Sequence, residues 1–417
     1  MKIAIVGAGI VGVTTAYALS QDGHAVTVFE QRSSAAEEAS FANGALLGPH
    51  LLRPWAAPGS LGLARPTLFG RQALVRIASG ASRTDLAWLW HWRSLARRTV
   101  QEPLPSIWQQ QLQLTQYSQS QLHAQCAQLQ LSPEMRSGAL VLLRSEAEHN
   151  ALAPQLRLLR DAGIPVHELD AAAARLHEPG LAESAPLAGA LQLPNAELGN
   201  CRLYAQQLRQ AAQALGAQFQ FGSTVRQIQH SPPGVQLQGQ ETAQRFDAVV
   251  LCAGSAASAL ARPLGLGLAL PLAQLHGYTI STLLRDELQA PHAAVVDASA
   301  RVSIARLGQR LRIAGGAELG GSGSPHHQPT LERLYQVLTD WFPGGAQLSG
   351  GVQVWRGTRS MSADGLPLLG PSAIPGLWLN CGHGDSGWAL ASGCAQLLAD
   401  SIAGRSPALD ISPLALR

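Results

Sequence analysis

The residues with most chemical meaning stand near the two ends of the chain. Gly7, Gly9 and Gly12 form a G-x-G-x-x-G, with Ile10 and Val11 between the last two. Glycines at this spacing turn a chain tightly, let backbone approach a pyrophosphate, and let a helix pack close to a strand. A helix opening at Val11 would aim its free N–H groups and positive dipole end at phosphates. Glu30 follows Gly12 by 18 residues, where a carboxylate accepts hydrogen bonds from an adenosine ribose. These residues point to a dinucleotide site and leave NAD and FAD open. Far along the chain, Gly382-His383-Gly384-Asp385-Ser386-Gly387-Trp388 precedes a second helix. Small and polar residues at a helix start form an acceptor for an anion or a carbonyl. Both ends of the chain can therefore present helix starts to one ligand.

The elements that must position these residues can be read from pattern. Ile3-Ala4-Ile5-Val6 is a β-branched apolar run suited to a buried parallel strand. A helix over 11–21 should end at Gly23, and Ala25-Val26-Thr27-Val28-Phe29 is the second strand. Residues 246–251 form a buried strand that runs into Cys252-Ala253-Gly254, small residues that bring backbone close to a ligand. A strand over 377–380 precedes the second helix, 389–403. Residues 31–59 are irregular, and a loop of that length is commonly functional. Residues 61–131 are helical in texture, with Trp88, Trp90, Trp92 and Trp108 and a glutamine-rich half. The tryptophans read first as helix-packing core and second as a membrane-surface or partner patch. Strands are expected at 138–144 and 189–194, with a turn-rich connection over 195–200 leading into a helix over 201–215. An antiparallel region follows from 263 to 340. It holds strands at 278–280, 301–305 and 310–314, loops at Gly315-Gly316 and 320–324, and a helix over 330–341.

Composition narrows the function classes. A chain of 417 residues can build two domains with substantial cores. A net charge of +3 is too small and dispersed for a nucleic-acid binder. No run of 18 apolar residues marks a spanning helix. The five cysteines show no C-x-x-C pair and no zinc spacing, so no metal site is expected. They read as reduced thiols, and the first strand begins too early for a signal peptide, which together favour a cytoplasmic protein. Lys2 is the only lysine among 30 basic residues, which removes Schiff-base chemistry by an interior lysine.

The chain resembles the small-subunit family of D-amino-acid dehydrogenases, within the D-amino-acid oxidase superfamily. The resemblance spans nearly every residue. It is carried by Gly7–Gly12, Ser40–Asn43, Trp55-Ala56-Ala57-Pro58-Gly59, Leu191-Gln192-Leu193-Pro194-Asn195, Gly277-Tyr278, Arg359 with Met361 and Asp364-Gly365, and Asn380-x-Gly382-His383-Gly384-x-x-Gly387-Trp388. It implies FAD, bound non-covalently because no cysteine lies between Trp355 and Met361. It implies an α/β fold, α+β overall: a Rossmann-like FAD-binding domain with an interleaved mixed-sheet substrate domain. The expected FAD segments are 1–60, 190–262 and 345–417, and the substrate segments are 61–189 and 263–344. Cofactor contacts are expected from Gly7, Gly9, Ile10, Val11 and Gly12 at the phosphates, and from Glu30, Gln31 and Arg32 beyond the second strand. Ser40, Ala42, Asn43 and Gly44 are expected near the isoalloxazine ring, and Val225 at the adenine. Cys252, Ala253 and Gly254 are expected to approach through backbone. Gly382, His383, Gly384, Ser386, Gly387 and Trp388 are expected at the pyrimidine end of the flavin.

Arg359 matches the arginine that grips the substrate carboxylate, a task suited to a planar, permanently charged fork. It is also expected to touch the cofactor. Tyr278 looks like an active-site tyrosine that could bond the same carboxylate. Departures from the family pattern are Leu52-Arg53, His276 in place of a common lysine, and Asp385-Ser386 in place of Thr-Leu. An inward Arg53 would tune side-chain preference. The implied reaction is oxidative deamination of a D-amino acid, with hydride delivered to flavin N5 and hydrolysis to a 2-oxo acid and ammonia. A lysine over the flavin assists O₂ in some relatives. Its absence favours a quinone or other respiratory-chain acceptor, with peripheral contact at the inner face of the cell membrane as an option. The alternatives are an oxidase of glycine, sarcosine or D-proline type, and a non-catalytic flavin subunit of an electron-transfer complex.

Overall fold

The computed structural model describes residues 1–48, 76–78, 80–98, 106–266, 272–321 and 326–416. Arg53, the Trp55–Gly59 run and most of the expected 320–324 loop lie outside the described residues. Two sheets organise the molecule. The first has six strands in the order Leu368–Pro371, Leu377–Cys381, Ala248–Leu251, Lys2–Val6, Ala25–Phe29 and Gln218–Gln220. All neighbours are parallel except the antiparallel edge strand Leu368–Pro371. Lys2–Val6 lies at its centre, buried from Ile3 to Val6, as its apolar run requires. Ile3 faces Val26 on one side and Ala248 on the other.

Helices Ile10–Gln21, Cys201–Ala214 and Gly387–Ile402 share a core with this sheet. The two glycine-led helices touch directly, since the Thr14 hydroxyl donates to the Ala391 carbonyl at 3.2 Å. A small antiparallel sheet of Val225–His230, Pro233–Leu237 and Gln244–Arg245 packs on the other face.

The larger sheet is mixed. Its path runs Gln353–Met361, Ala273–Leu283, Arg310–Leu319, Val302–Leu307, Ala294–Asp297, Arg136–Leu143, Gly189–Leu198 and Leu46–Leu47. Helix Gln328–Trp341 covers one of its faces through Leu331, Leu334 and Trp341. The α/β architecture expected from the sequence is thus present.

Sheet membership crosses the expected domain boundaries. Leu46–Leu47, Gly189–Leu198 and Gln353–Met361 join the larger sheet, although the sequence places residues 1–60, 190–262 and 345–417 with the nucleotide domain. Helix Ser106–Leu129, grouped with the substrate domain, packs into the core of the six-stranded layer through Leu114 and Leu122. The contact is close: a Cβ on Gly393 would stand 2.8 Å from the Ser118 Cα. The Ser118 hydroxyl accepts from the Gly393 N–H at 3.0 Å.

Two expected turns are strand. The connection over 195–200 continues the strand as far as Leu198, because Arg136 and Ser137 pair with Leu198 and Glu197. Gly315-Gly316 lies within Arg310–Leu319, where Gly315 pairs with Tyr278 next to a register shift.

Candidate active site

The first glycine turn forms as its spacing demands. Gly7 sits at φ +102°, and a Cβ there would stand 2.6 Å from the Cys252 carbonyl oxygen. A Cβ on Gly12 would run into the carbonyl oxygen of Gly7. Gly12 therefore serves packing between strand and helix and does not line the cavity described below. Ser40 supplies its hydroxyl to the Ile10 N–H at 3.1 Å, bringing residues 38–45 over the helix start. The Glu30 carboxylate is buried and accepts from the Ala8 N–H at 2.7 Å and the Arg32 N–H at 2.8 Å. These bonds aim it at the glycine turn and leave further lone pairs free to accept.

A cavity of about 940 Å³ is lined by this turn, by Val225 and Cys252–Gly254, and by Arg359 and the His383 turn. Every expected contact residue lines it except Gly12 and Arg32. The Arg32 side chain is exposed and ion-paired with Glu38, so it takes no place in the cavity. Four buried polar atoms on cavity-lining residues have no partner among the described residues: Gln155 Oε1, Asn380 Oδ1, His383 Nε2 and Trp388 Nε1. With the glycine cradle, the last three form a surface suited to a long, polar, phosphate-bearing cofactor.

Residues 2–401 match the family described as FAD dependent oxidoreductase (DAO). The chain belongs to this FAD-dependent oxidoreductase family. Its fold is similar to glycine oxidase from Geobacillus kaustophilus, with 22% identity and a TM-score of 0.75 over 100% of this chain and 98% of that one. It is similar to L-proline dehydrogenase from P. horikoshii, with 15% identity and a TM-score of 0.72 over 100% and 96%. It is also similar to the FAD-bound L-α-glycerophosphate oxidase from Mycoplasma pneumoniae, with 16% identity and a TM-score of 0.68 over 96% and 94%. FAD is thus the cofactor of this chain.

In this FAD-dependent oxidoreductase, Arg359 lies on the strand Gln353–Met361 opposite Leu275. Its Nη2 donates to the Gly316 carbonyl at 2.7 Å. No ion pair joins it to Asp364 or to any other described carboxylate. What remains accessible of it faces the cavity, since protein walls it off from bulk solvent. Burial lowers its pKa, and the charge of Asp385 acts the other way.

Tyr278 also lines the cavity. It pairs with Arg356, so its side chain leaves the strand on the face opposite to that of Arg359. Its hydroxyl donates to Glu318 Oε2 at 2.8 Å and accepts from the His327 N–H at 3.0 Å. Burial raises its pKa. The hydroxyl thus belongs to a cluster with Glu318, Arg76 and Arg356, of which Tyr278, Glu318 and Arg76 line the cavity.

His276 shares that face. It is buried and bonded through Nδ1 to the Thr358 hydroxyl at 2.9 Å. His383 is also buried, and burial pushes its pKa down to about 4. Its backbone forms a bridge to Met361, and a Cβ on Gly384 would stand 3.0 Å from Met361 Cγ. The strand bearing Arg359 is thereby locked to the His383 turn.

The sequence reading missed three contributors. Gln111 donates from its Nε2 to the Ser386 hydroxyl at 3.3 Å, with Trp108 and Thr115 beside it on the cavity wall. The spacing of Trp108, Gln111 and Thr115 follows one helix face, which is the signal that could have found them. Thr279 donates to the Ala42 carbonyl at 2.7 Å and fixes the loop before Asn43. Gly316 supplies the carbonyl that aims Arg359.

Among the described residues, no cluster of His, Cys, Asp and Glu could hold a metal, and no helix is long and apolar enough to cross a membrane.

Proposed function

We propose that this chain oxidises the carbon–nitrogen bond of a D-amino acid, giving an imino acid that water converts to a 2-oxo acid and ammonia. The observation that carries this reading is Arg359: a guanidinium facing the FAD cavity, bonded to one carbonyl and ion-paired with no described carboxylate. A planar fork in such a setting binds a substrate carboxylate bidentately. FAD, when bound, supplies a two-electron acceptor. The remaining work is positioning. Glu30 and the glycine turn hold the nucleotide, Gly382–Trp388 cradles the ring, and Arg359 orients the carbon that gives up hydride. His383, neutral through burial, packs against the cofactor and moves no proton. The nucleotide-binding and substrate-binding units enter this reading with the three crossover strands assigned to the substrate side.

FAD is held non-covalently in this reading. Cys252 and Cys381 line the cavity, but burial raises both thiols, Cys381 to about 12, so neither is a ready nucleophile. Electrons pass to a quinone or another acceptor than oxygen, since the one lysine, Lys2, lies exposed at the start of the central strand. The deciding experiment is an anaerobic panel of D- and L-amino acids with flavin bleaching as readout. Arg359→Ala should raise KM about a hundredfold with FAD retained. Bleaching by no D-amino acid, or an unchanged KM in that variant, rejects the reading.

The named structural neighbours support a second reading, an amine oxidase or dehydrogenase of glycine or proline type. Peroxide formed under air, measured against dye reduction, separates an oxidase from a dehydrogenase.

A further inference from the structure

The cavity extends beyond the part enclosed by the glycine turns and Arg359. One lobe of it lies between the helices Ser106–Leu129 and Glu146–Asp161, against the strand Arg136–Leu143. Leu112, Val141, Leu152 and Leu159 line this lobe and belong to one buried apolar cluster. A single polar side chain interrupts that lining. Gln155 stands between Leu152 and Leu159 on the same helix face. It is only 6% exposed, and its Oε1 has no partner among the described residues. A buried acceptor of this kind calls for a donor that the protein does not bring.

A substrate held by Arg359 does not reach the lobe. That guanidinium bonds Gly316, and from the strand of Gly316 to the strand of Val141 the sheet runs three further steps, about 14 Å at ordinary strand spacing. An amino-acid side chain of five bonds spans about half of that. The lobe does adjoin the His383 turn, because Gln111, next to Leu112, bonds the Ser386 hydroxyl.

We propose that this lobe is the subsite for the electron acceptor, a quinone, with Gln155 bonding its ring oxygens. This rests on the reading given above that electrons leave to an acceptor other than oxygen. An apolar slot with one convergent polar group suits a flat, uncharged ring. A glutamine amide can donate to a carbonyl and accept from a hydroxyl, so it serves the ring before and after reduction. The quinone takes two electrons and two protons from the reduced cofactor, its two carbonyls become hydroxyls, and it leaves as a quinol. The cofactor is thereby returned to its oxidised form. Gln155 is on this view a binding residue for the acceptor and takes no part in holding the amino acid.

The test needs no turnover. Oxidised holoprotein is titrated with menadione, and Kd is read from quenching of tryptophan fluorescence, to which Trp108 on the cavity wall contributes. Gln155→Leu should weaken menadione binding about five- to tenfold, and Leu152→Trp should abolish it, with native FAD content in both. Should Leu152→Trp fail to fold, Leu152→Phe replaces it. Half-saturation of anaerobic flavin bleaching by D-alanine should stay as in the wild type. No menadione binding by the wild type, a Kd unchanged by Gln155→Leu, or binding that survives the filled lobe overturns the proposal. Loss of FAD from Gln155→Leu overturns it in favour of a cofactor contact. A shift confined to D-amino acids with long side chains overturns it in favour of substrate recognition. Failure of the underlying reading looks different: D-amino acids then bleach no flavin, whatever the menadione titration shows.

Discussion

The guanidinium of Arg359 occupies the space that a side chain at Gly277 would need. A Cβ on Gly277 would stand 2.7 Å from Arg359 Nη2 and 3.1 Å from its Cζ. The arginine therefore owes its position to a missing side chain on the neighbouring strand, and to the Gly316 carbonyl beyond it.

Gly277→Ala should accordingly act as a mild Arg359 variant. The clash falls on the end of a flexible side chain, so the fold survives and the fork is displaced. KM for the carboxylate substrate is expected to rise about tenfold, equivalent to about 1.4 kcal/mol, at unchanged FAD content. Steady-state kinetics beside the visible flavin spectrum checks this. Lost FAD with unchanged KM would contradict the placement.

Glu30→Gln keeps shape and removes charge from a site that already satisfies two backbone donors. Charged hydrogen bonds contribute about 1.5–3 kcal/mol. Reconstitution of apoprotein, followed by flavin fluorescence, should show FAD affinity reduced by about ten- to a hundredfold. Equal affinity would remove Glu30 from the ribose site.

Asp297 is a test of stability away from the cofactor. Its buried carboxylate accepts from Arg144 Nε, Trp341 Nε1, the Ser299 hydroxyl and the Ala300 N–H, each at 2.8 Å. Burial alone would raise its pKa, but these donors outweigh burial and hold the carboxyl below its ordinary value. Asp297→Ala strands partly buried donors and should cost about 3 kcal/mol, read as Tm or denaturant midpoint. A depressed carboxylate contributes stability that is full above its unfolded value, about 4, and is lost as pH falls through the folded value. The variant should therefore show a flatter Tm profile below about pH 4.

His276 gives a pH effect in a different window. Burial, with help from the Arg356 charge, pushes it down to about 4. Unfolded histidine takes a proton near pH 6.5. The folded state refuses that proton, so stability is full above about 6.5 and declines as pH falls toward 4. His276→Gln should remove up to about 1.4 kcal/mol per pH unit from that decline. Denaturant midpoints at pH 5 and pH 7 suffice; identical slopes in both proteins would refute the burial argument.

The nucleotide half of the site was legible in the sequence because its determinants are local. Gly7, Gly9 and Gly12 act on neighbours a few residues away, and Glu30 needs only one helix between it and them. The substrate half depends on pairing between distant strands. Whether Tyr278 or Gly277 shares a strand face with Arg359 follows from alternation along Ala273–Leu283, fixed by its register with Gln353–Met361. One residue of register inverts the answer. Residues 195–198 and Gly315-Gly316 carry turn composition but are held as strand by partners far along the chain. Gln111 belongs to a glutamine-rich helix whose docking against Gly393 no local pattern announces.

The bridge between Met361 and His383 has a mechanical meaning. It ties the strand that bears Arg359 to the turn at His383, so the proposed carboxylate clamp and the proposed ring seat travel as one body. The reach from clamp to ring is then built in at folding, and no closing stroke has to set it at each turnover. Traffic of small molecules into and out of the cavity must be admitted by some other part of its rim.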